Sequence, residues 1–209
     1  MRRIQKEIGE YLGENTGIYI FIIVLFIASV LAGAFLVRGL EAGQHETLYH
    51  YFNLFITDCL ESPALEGRVI LGQSVKINLQ YLFLIWLSGL FIFGFPLTMI
   101  LIGWRGFSLG FAVGFLVKRS ALRGVLFALG AILPHSLLIV PALIIVTVTG
   151  FSFSWLRFKG YLKKEPYPSG RRLLLYTAVN LLLGVLLLAG CLVEAYISPV
   201  FMKLLLPYL

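Results

Sequence analysis

Long apolar stretches separated by short polar segments dominate the chain. The first covers residues 17–37, carries no charge, and is long enough to cross a hydrocarbon core of about 30 Å as a helix. Four further apolar stretches follow, at about 79–104, 106–117, 124–153 and 173–193. This pattern predicts an all-α, polytopic membrane helix bundle with about five transmembrane helices.

Glycine and proline interrupt several of these stretches. Gly94 and Pro96 predict a kink in the second stretch, and Pro134 and Pro141 predict that the fourth is bent or broken. The third stretch, 106–117, reaches only about 18 Å as a helix, so it either crosses with little tilt or re-enters the membrane.

Small residues recur at helical spacing in the third stretch. Gly106, Gly110 and Gly114 lie four residues apart, an arrangement that lets another helix approach closely. The second helix could belong to the same chain or to a second copy, so these glycines are candidate helix-packing residues and a homodimer is a possible consequence.

The basic residues predict the orientation. They concentrate before the first apolar stretch and between the fourth and fifth, which places 1–16 and 154–172 in the cytoplasm. The N-terminus is then cytoplasmic, all five stretches cross, and 38–78 and 194–209 are external. Lys118, Arg119 and Arg123 are the exception, because this arrangement leaves them outside.

The composition agrees with a single integral membrane domain over residues 1–209. The sequence is 59% hydrophobic and 13% charged, against roughly 25% charged in ordinary soluble domains. The net charge of +7 is divided among short clusters rather than spread over the basic face that nucleic-acid binding requires. Two cysteines without CxxC spacing predict neither a metal site nor a redox motif.

The first half of the predicted external loop has a helical period. One face carries Leu48, Phe52 and its apolar neighbours, and the opposite face is polar, which predicts an amphipathic helix at the outer surface. The loop is too small for an enzyme domain but large enough to dock one. His45, Glu46 and His50 lack a third or fourth ligand at suitable spacing, so we expect no metal there. The polar face contains Glu46, His50, Asn53, Thr57 and Glu61.

Candidate catalytic groups are few. Residues 106–110 match G-x-S-x-G, but a nucleophile elbow needs a strand–turn–helix setting that an apolar glycine-rich helix does not offer. Ser108 and His135 could form an intramembrane serine protease dyad, although a neutral His135 that satisfies backbone groups freed by Pro134 is the simpler interpretation. Asp58 is the only aspartate, and no phosphate-binding glycine loop is present. We therefore expect no enzyme and no cofactor.

Four short motifs resemble one known family along nearly the whole chain. In order, they are Glu14-Asn15, Gly114-Phe115-Leu116-Val117, Leu133-Pro134-His135 through Pro141-Ala142, and Glu194-Ala195-Tyr196-Ile197-Ser198-Pro199. In this set and order the chain resembles stage II sporulation protein M of endospore-forming bacteria.

The resemblance implies a function. Members of that family act during engulfment with two cell-wall hydrolases, stage II sporulation proteins D and P, at the division septum, as the non-enzymatic membrane member. We therefore expect a scaffold in the cell membrane, at the septum and the engulfing mother-cell membrane, whose partners are these hydrolases and the lipid bilayer. A transporter or transporter-like subunit with a site at the fourth stretch is the alternative, and an intramembrane serine protease is the third. Candidate partner-binding residues are Glu46, His50, Asn53, Glu61, Glu194 and Tyr196.

Overall fold

A computed structural model describes residues 2–61, 63–164 and 170–205, and for 2–15, 42, 55–56, 58–61, 63–66, 119–122, 203 and 205 it describes the backbone alone. The described backbone is helical apart from short connections, which confirms the all-α membrane bundle. The helices are α1 (Arg2–Leu36), α2 (Ala42–Glu61), α3 (Pro63–Leu90), α4 (Phe95–Lys163), α5 (Gly170–Leu192) and α6 (Ser198–Leu205), with a 3-10 turn at Val37–Gly39 and a π-helical segment at Val193–Ile197.

A tight turn at residues 91–94 divides the predicted second apolar stretch between two helices. The built Cβ of an alanine at Gly94 would lie 1.7 Å from the carbonyl oxygen of Ser88, so only glycine fits this reversal. Ser154 donates a hydrogen bond of 2.8 Å to the carbonyl of Phe91, and Arg157 donates to the carbonyl of Leu90. The prediction of one kinked helix over 79–104 was wrong, because the chain reverses at Gly94 instead of bending there.

Helix α4 folds back on itself. A straight helix would separate Phe95 and Phe151 by about 84 Å, yet their ring centroids are 5.9 Å apart. The chain therefore reverses between a first arm, Phe95–Lys118, and a second arm, Arg123–Lys163. The stretch 106–117 is the latter part of the first arm, so the prediction of a separate twelve-residue segment was wrong.

The second arm continues as a helix through Pro134 and Pro141. Of the two outcomes that we expected for this stretch, bent or broken, the structure excludes the break. The irregular backbone near this arm lies instead in the π-helical segment that follows α5.

Five helical stretches are long and apolar enough to cross a membrane: Thr16–Gly39, Gly67–Leu90, Phe95–Lys118, Arg123–Lys163 and Gly170–Met202. Large apolar side chains on these stretches are exposed, among them Leu174, Leu182 and Val185. Such surfaces suit contact with lipid. Residues 67–78, which we predicted to be part of the external loop, belong to the second stretch. The side of the membrane on which each connection lies stays a prediction.

The glycines of the first arm pack against α1 of the same chain. A Cβ built at Gly110 would lie 1.9 Å from the carbonyl oxygen of Val30, and one at Gly114 would lie 2.8 Å from the Cα atom of Ala34. Gly106 lies against Phe26 in the same way. The first arm and α1 run parallel at backbone contact, so a homodimer through this glycine face would have to displace α1.

Helix α2 lies across one end of the bundle. The ring of Phe52 packs 6.0 Å from the ring of Phe115 and 6.1 Å from that of Phe127, and Tyr49 packs 5.1 Å from Phe115. Phe115 is near the end of the first arm and Phe127 near the start of the second, so α2 covers the end at which α4 reverses. We call this the α2 end of the bundle, and the opposite end, with the turn at 91–94, the turn end.

Candidate functional site

A cavity of about 430 Å³ lies between α3, the two arms of α4, and the chain that follows α5. The polar or ionisable side chains that line it are Gln73, Ser74, Arg105, Ser108, His135, Ser136, Glu194 and Ser198. Arg105 is about 20 Å along its arm from Lys118, so the cavity reaches well into the apolar depth of the bundle. Ionisable residues at such depth are rare and are associated with function.

A chain of hydrogen bonds connects the two charges of the cavity. The guanidinium of Arg105 donates to Oδ1 of Asn78 at 3.4 Å, and the Asn78 amide donates to Oγ of Ser74 at 3.3 Å. Ser74 in turn donates to Oε2 of Glu194 at 2.5 Å. In this series of three hydrogen bonds, each donor lies on the Arg105 side and each acceptor on the Glu194 side. Hydrogen bonds arranged in one direction polarise and strengthen one another.

The polar chain explains how the bundle retains two charges. An isolated ion moved from water into an apolar interior costs several kcal/mol even after relaxation. Asn78 and Ser74 are both buried, and their hydrogen bonds connect Arg105 to Glu194. The guanidinium also stacks 5.7 Å from the ring centroid of Tyr81, which adds a cation–π contact.

His135 and Ser198 form a second polar contact at the same cavity. Nδ1 of His135 lies 3.2 Å from Oγ of Ser198, the first residue of α6. Ser198 is buried, and α6 begins directly after the π-helical segment that carries Glu194. Two sequence motifs, Leu133–His135 and Glu194–Pro199, therefore meet in space, although the resemblance offered no contact between them.

The π-helical segment determines where Glu194 points. Single π-type turns within α-helices are uncommon and frequently mark functional sites. Here the segment directs Glu194 toward Ser74 and the cavity, and it buries Ala195 next to Gly67 of α3. Glu194 lines the cavity, and its role as a partner-binding residue stays a prediction. Tyr196 is exposed.

The Ser108–His135 dyad is not supported by the hydrogen bonds. Both residues line the cavity, but Ser108 donates to the carbonyl of Trp104 in its own helix at 2.9 Å. His135 contacts Ser198 instead. Glu194 accepts its described hydrogen bond from Ser74, not from His135, so the triad geometry of serine hydrolases is not formed among the described contacts.

Sequence reasoning missed most of this site. It treated Arg105 as a junction between two apolar stretches, although an arginine between Trp104 and Gly106 was a signal for a charge within a span. It also began the second span at residue 79, which left Ser74 and Asn78 in a loop. His135 and Glu194 were named, but nothing in their spacing indicated that they share a cavity.

The exposed face of α2 is a separate candidate surface. Glu46, His50 and Asn53 are exposed along this helix, and the side chain of Glu61 lies outside the described residues. At the start of the helix, Lys118 contacts Nε2 of His45 and donates to the carbonyl of Val37 at 3.1 Å. This contact and the Phe52 packing fix α2 on the bundle with its polar face outward.

Among the residues whose side chains are described, no group of three His, Cys, Asp or Glu could hold a metal ion.

The chain was compared with protein families, curated proteins and solved structures. The model of the family described as stage II sporulation protein M matches residues 22–199. The match includes all the cavity-lining residues named above and the whole of α2. No curated protein and no solved structure matched the chain.

Proposed function

The chain belongs to the stage II sporulation protein M family, and from this premise we propose that it anchors and localises two cell-wall hydrolases, stage II sporulation proteins D and P, at the sporulation septum during engulfment. The family is one of sporulation membrane proteins, and the helical bundle with five apolar stretches is a membrane protein. The proposed role is that of a scaffold without catalysis of its own.

The exposed polar face of α2 is the observation that carries this proposal. The helix is fixed to the α2 end of the bundle by aromatic packing on Phe115 and Phe127 and by Lys118. A polar surface on a preorganised helix binds a partner without the entropic cost of ordering a loop. With the N-terminus in the cytoplasm, this end faces the cell wall, where the hydrolases act.

The addition of positive charge to this face tests recruitment. We expect the double variant Glu46→Lys, Asn53→Lys to reduce co-purification of proteins D and P with the tagged chain from sporulating cells by at least about fivefold. Both side chains are exposed, so the bundle should remain folded. The matched control is Glu41→Lys, which reverses an exposed charge before α2 and should recover the hydrolases at the wild-type level.

Two results would contradict the proposal. Equal recovery of the hydrolases with the double variant and with the Glu41→Lys control would remove the α2 face as the docking surface. Failure of the wild-type chain to retain either hydrolase would remove the scaffold role itself.

A transporter or transporter-like subunit is the second candidate, and the cavity favours it. Substrate sites of many transporters lie at the middle of the membrane, where helices are irregular. The cavity is lined by the ionisable residues His135 and Arg105. The irregular π-helical segment contributes Glu194 to the same lining. Uptake of solutes by the purified chain in liposomes, compared with protein-free liposomes, tests this candidate.

A further inference from the structure

The charges of the intramembrane cavity define a binding site for a ligand that carries opposite charges. We propose that the cavity binds a zwitterionic group with an anionic oxygen group at one end and an ammonium at the other, as in the ethanolamine phosphate headgroup. Arg105 holds the anionic end and Glu194 the ammonium. This inference is independent of hydrolase recruitment, which uses the other surface, and of whether the ligand is moved across the membrane.

The hydrogen-bonding capacity of Arg105 indicates an anionic group. A guanidinium has five N–H donors in a planar fork that matches carboxylate and phosphate oxygens. Among the described residues, Asn78 accepts from one of these donors, and the ring of Tyr81 covers the guanidinium at 5.7 Å. Arg105 lines a cavity large enough for a ligand.

Glu194 supplies the opposite charge on the same cavity. Ser74 binds its Oε2 atom, which orients the carboxylate, and no side chain that the structure describes donates a hydrogen bond to Oε1. Because Arg105 and Glu194 are the two charged lining residues apart from His135, the cavity as a whole is close to neutral. A ligand with a single charge would leave one of these groups uncompensated in an apolar setting, and a zwitterion compensates both.

The spacing of the two residues that hold the charges suits short zwitterions. Arg105 is held through Asn78 and Glu194 through Ser74, and these two polar residues are four residues apart on α3, about 6 Å along the axis. Two carbon atoms separate the amine from the phosphate ester oxygen in ethanolamine phosphate, which gives a comparable reach. Apolar residues such as Ile70, Ile139 and Met202 line the rest of the cavity and suit a hydrocarbon portion.

The same headgroup chemistry occurs in a soluble molecule and in a lipid, and two probes distinguish these sources. Glycerophosphoethanolamine is the soluble form, and dihexanoylphosphatidylethanolamine is the lipid form. Calorimetric titration of the full-length chain in maltoside detergent should show saturable binding of at least one of them. Tighter binding of the lipid probe assigns the site to a membrane lipid, and equal binding assigns it to a soluble ligand.

Half-ligands test the requirement for both charges without any mutation. Glycerophosphoglycerol, a phosphodiester without an amine, and ethanolamine each carry one end of the zwitterion, and each should bind at least about tenfold more weakly than glycerophosphoethanolamine. If either half binds as tightly as the whole, or if neither zwitterionic probe binds, the proposal is overturned.

Substitutions assign the two ends. Arg105→Gln and Glu194→Gln should each weaken binding of the zwitterion at least about tenfold, and the amide at 194 can still accept from Ser74, which helps the bundle to fold. The matched controls Arg123→Gln and Glu41→Gln change exposed residues outside the cavity and should bind as the wild type does. Wild-type binding by folded Arg105→Gln and Glu194→Gln variants would also overturn the proposal.

Discussion

Nδ1 of His135 lies 3.2 Å from Oγ of Ser198, and this contact joins the second arm of α4 to α6 across 63 residues of sequence. Both residues belong to motifs that carried the family resemblance. The contact is between two side chains. An apolar substitution of either residue therefore leaves the polar atom of the other one buried beside the cavity. We interpret it as a positioning contact that fixes α6 and the π-helical segment.

The Ser198→Ala substitution tests this interpretation. We expect it to lower the free energy of unfolding of the detergent-solubilised chain by about 1 kcal/mol, because it removes the described contact between Ser198 and Nδ1 of His135. The measurement is thermal unfolding. Ser108→Ala is the matched control, since the described hydrogen bond of its hydroxyl lies within its own helix, and it should change the stability less. Equal losses for the two variants would show that the His135 contact is not stabilising.

The close contact of α1 with the first arm of α4 predicts a strong effect of Gly110→Ala. The new Cβ would meet the carbonyl of Val30, so the two helices must separate, at a cost of roughly 1–3 kcal/mol. Gly72→Ala is the control, because nothing lies within 4 Å of its built Cβ, and it should be neutral or stabilising by up to about 1 kcal/mol. Thermal unfolding of both variants provides the comparison. A Gly110→Ala variant as stable as Gly72→Ala would contradict the packing described above.

The turn at residues 91–94 predicts a second glycine requirement. Gly94→Ala should destabilise the connection between α3 and α4, because its Cβ would lie against the carbonyl of Ser88. We expect a lower yield of folded chain, measured by size-exclusion chromatography in detergent. Gly160→Ala, whose built Cβ has nothing within 4 Å, should give the wild-type yield. A normal yield for Gly94→Ala would show that the turn tolerates a side chain.

The contacts of Lys118 lie at the start of α2, so we expect its substitution to affect the dynamics of α2 and not those of the whole bundle. Lys118→Gln should weaken the attachment of α2, because the lysine contacts His45 and the carbonyl of Val37 at the start of this helix. Backbone amides in 42–61 should then exchange hydrogen several times faster, whereas those of the five long stretches should not change. Lys163→Gln removes an exposed charge at the turn end and serves as the control. Unchanged exchange in α2 would mean that the aromatic packing alone holds it.

Hydrophobic patterning was sufficient to predict the helical class and the number of long stretches, but not the boundary between the second and the third. Five apolar stretches and the amphipathic helix before the second of them are present, because burial from water and helix length restrict what such segments can do. The start of the second stretch was missed because Arg68, Gln73 and Lys76 make its first half polar. Its helical continuation depends on packing against the chain after α5, which a hydropathy pattern does not contain.

The site could not be predicted for a different reason. Arg105, Asn78, Ser74 and Glu194 come from three parts of the chain, and their connection depends on the reversal of α4 and on the π-helical register at Glu194. Neither feature follows from residue spacing. The glycines of the first arm were recognised as a packing surface, but whether α1 or a second copy would occupy it required the tertiary structure.

The orientation of the bundle decides whether α2 meets the cell wall, and impermeant thiol labelling in intact cells tests it most directly. The two native cysteines, Cys59 and Cys191, are first replaced by serine. Single cysteines are then introduced at exposed positions near the two ends of the bundle, at Thr47, Arg123, Phe93 and Lys164.

With five crossings and a cytoplasmic N-terminus, a membrane-impermeant maleimide should label cysteines at positions 47 and 123 in intact cells, at the α2 end. Cysteines at positions 93 and 164, at the turn end, should be labelled only after the membrane is permeabilised. Labelling of 93 or 164 in intact cells, with 47 and 123 protected, would contradict the account.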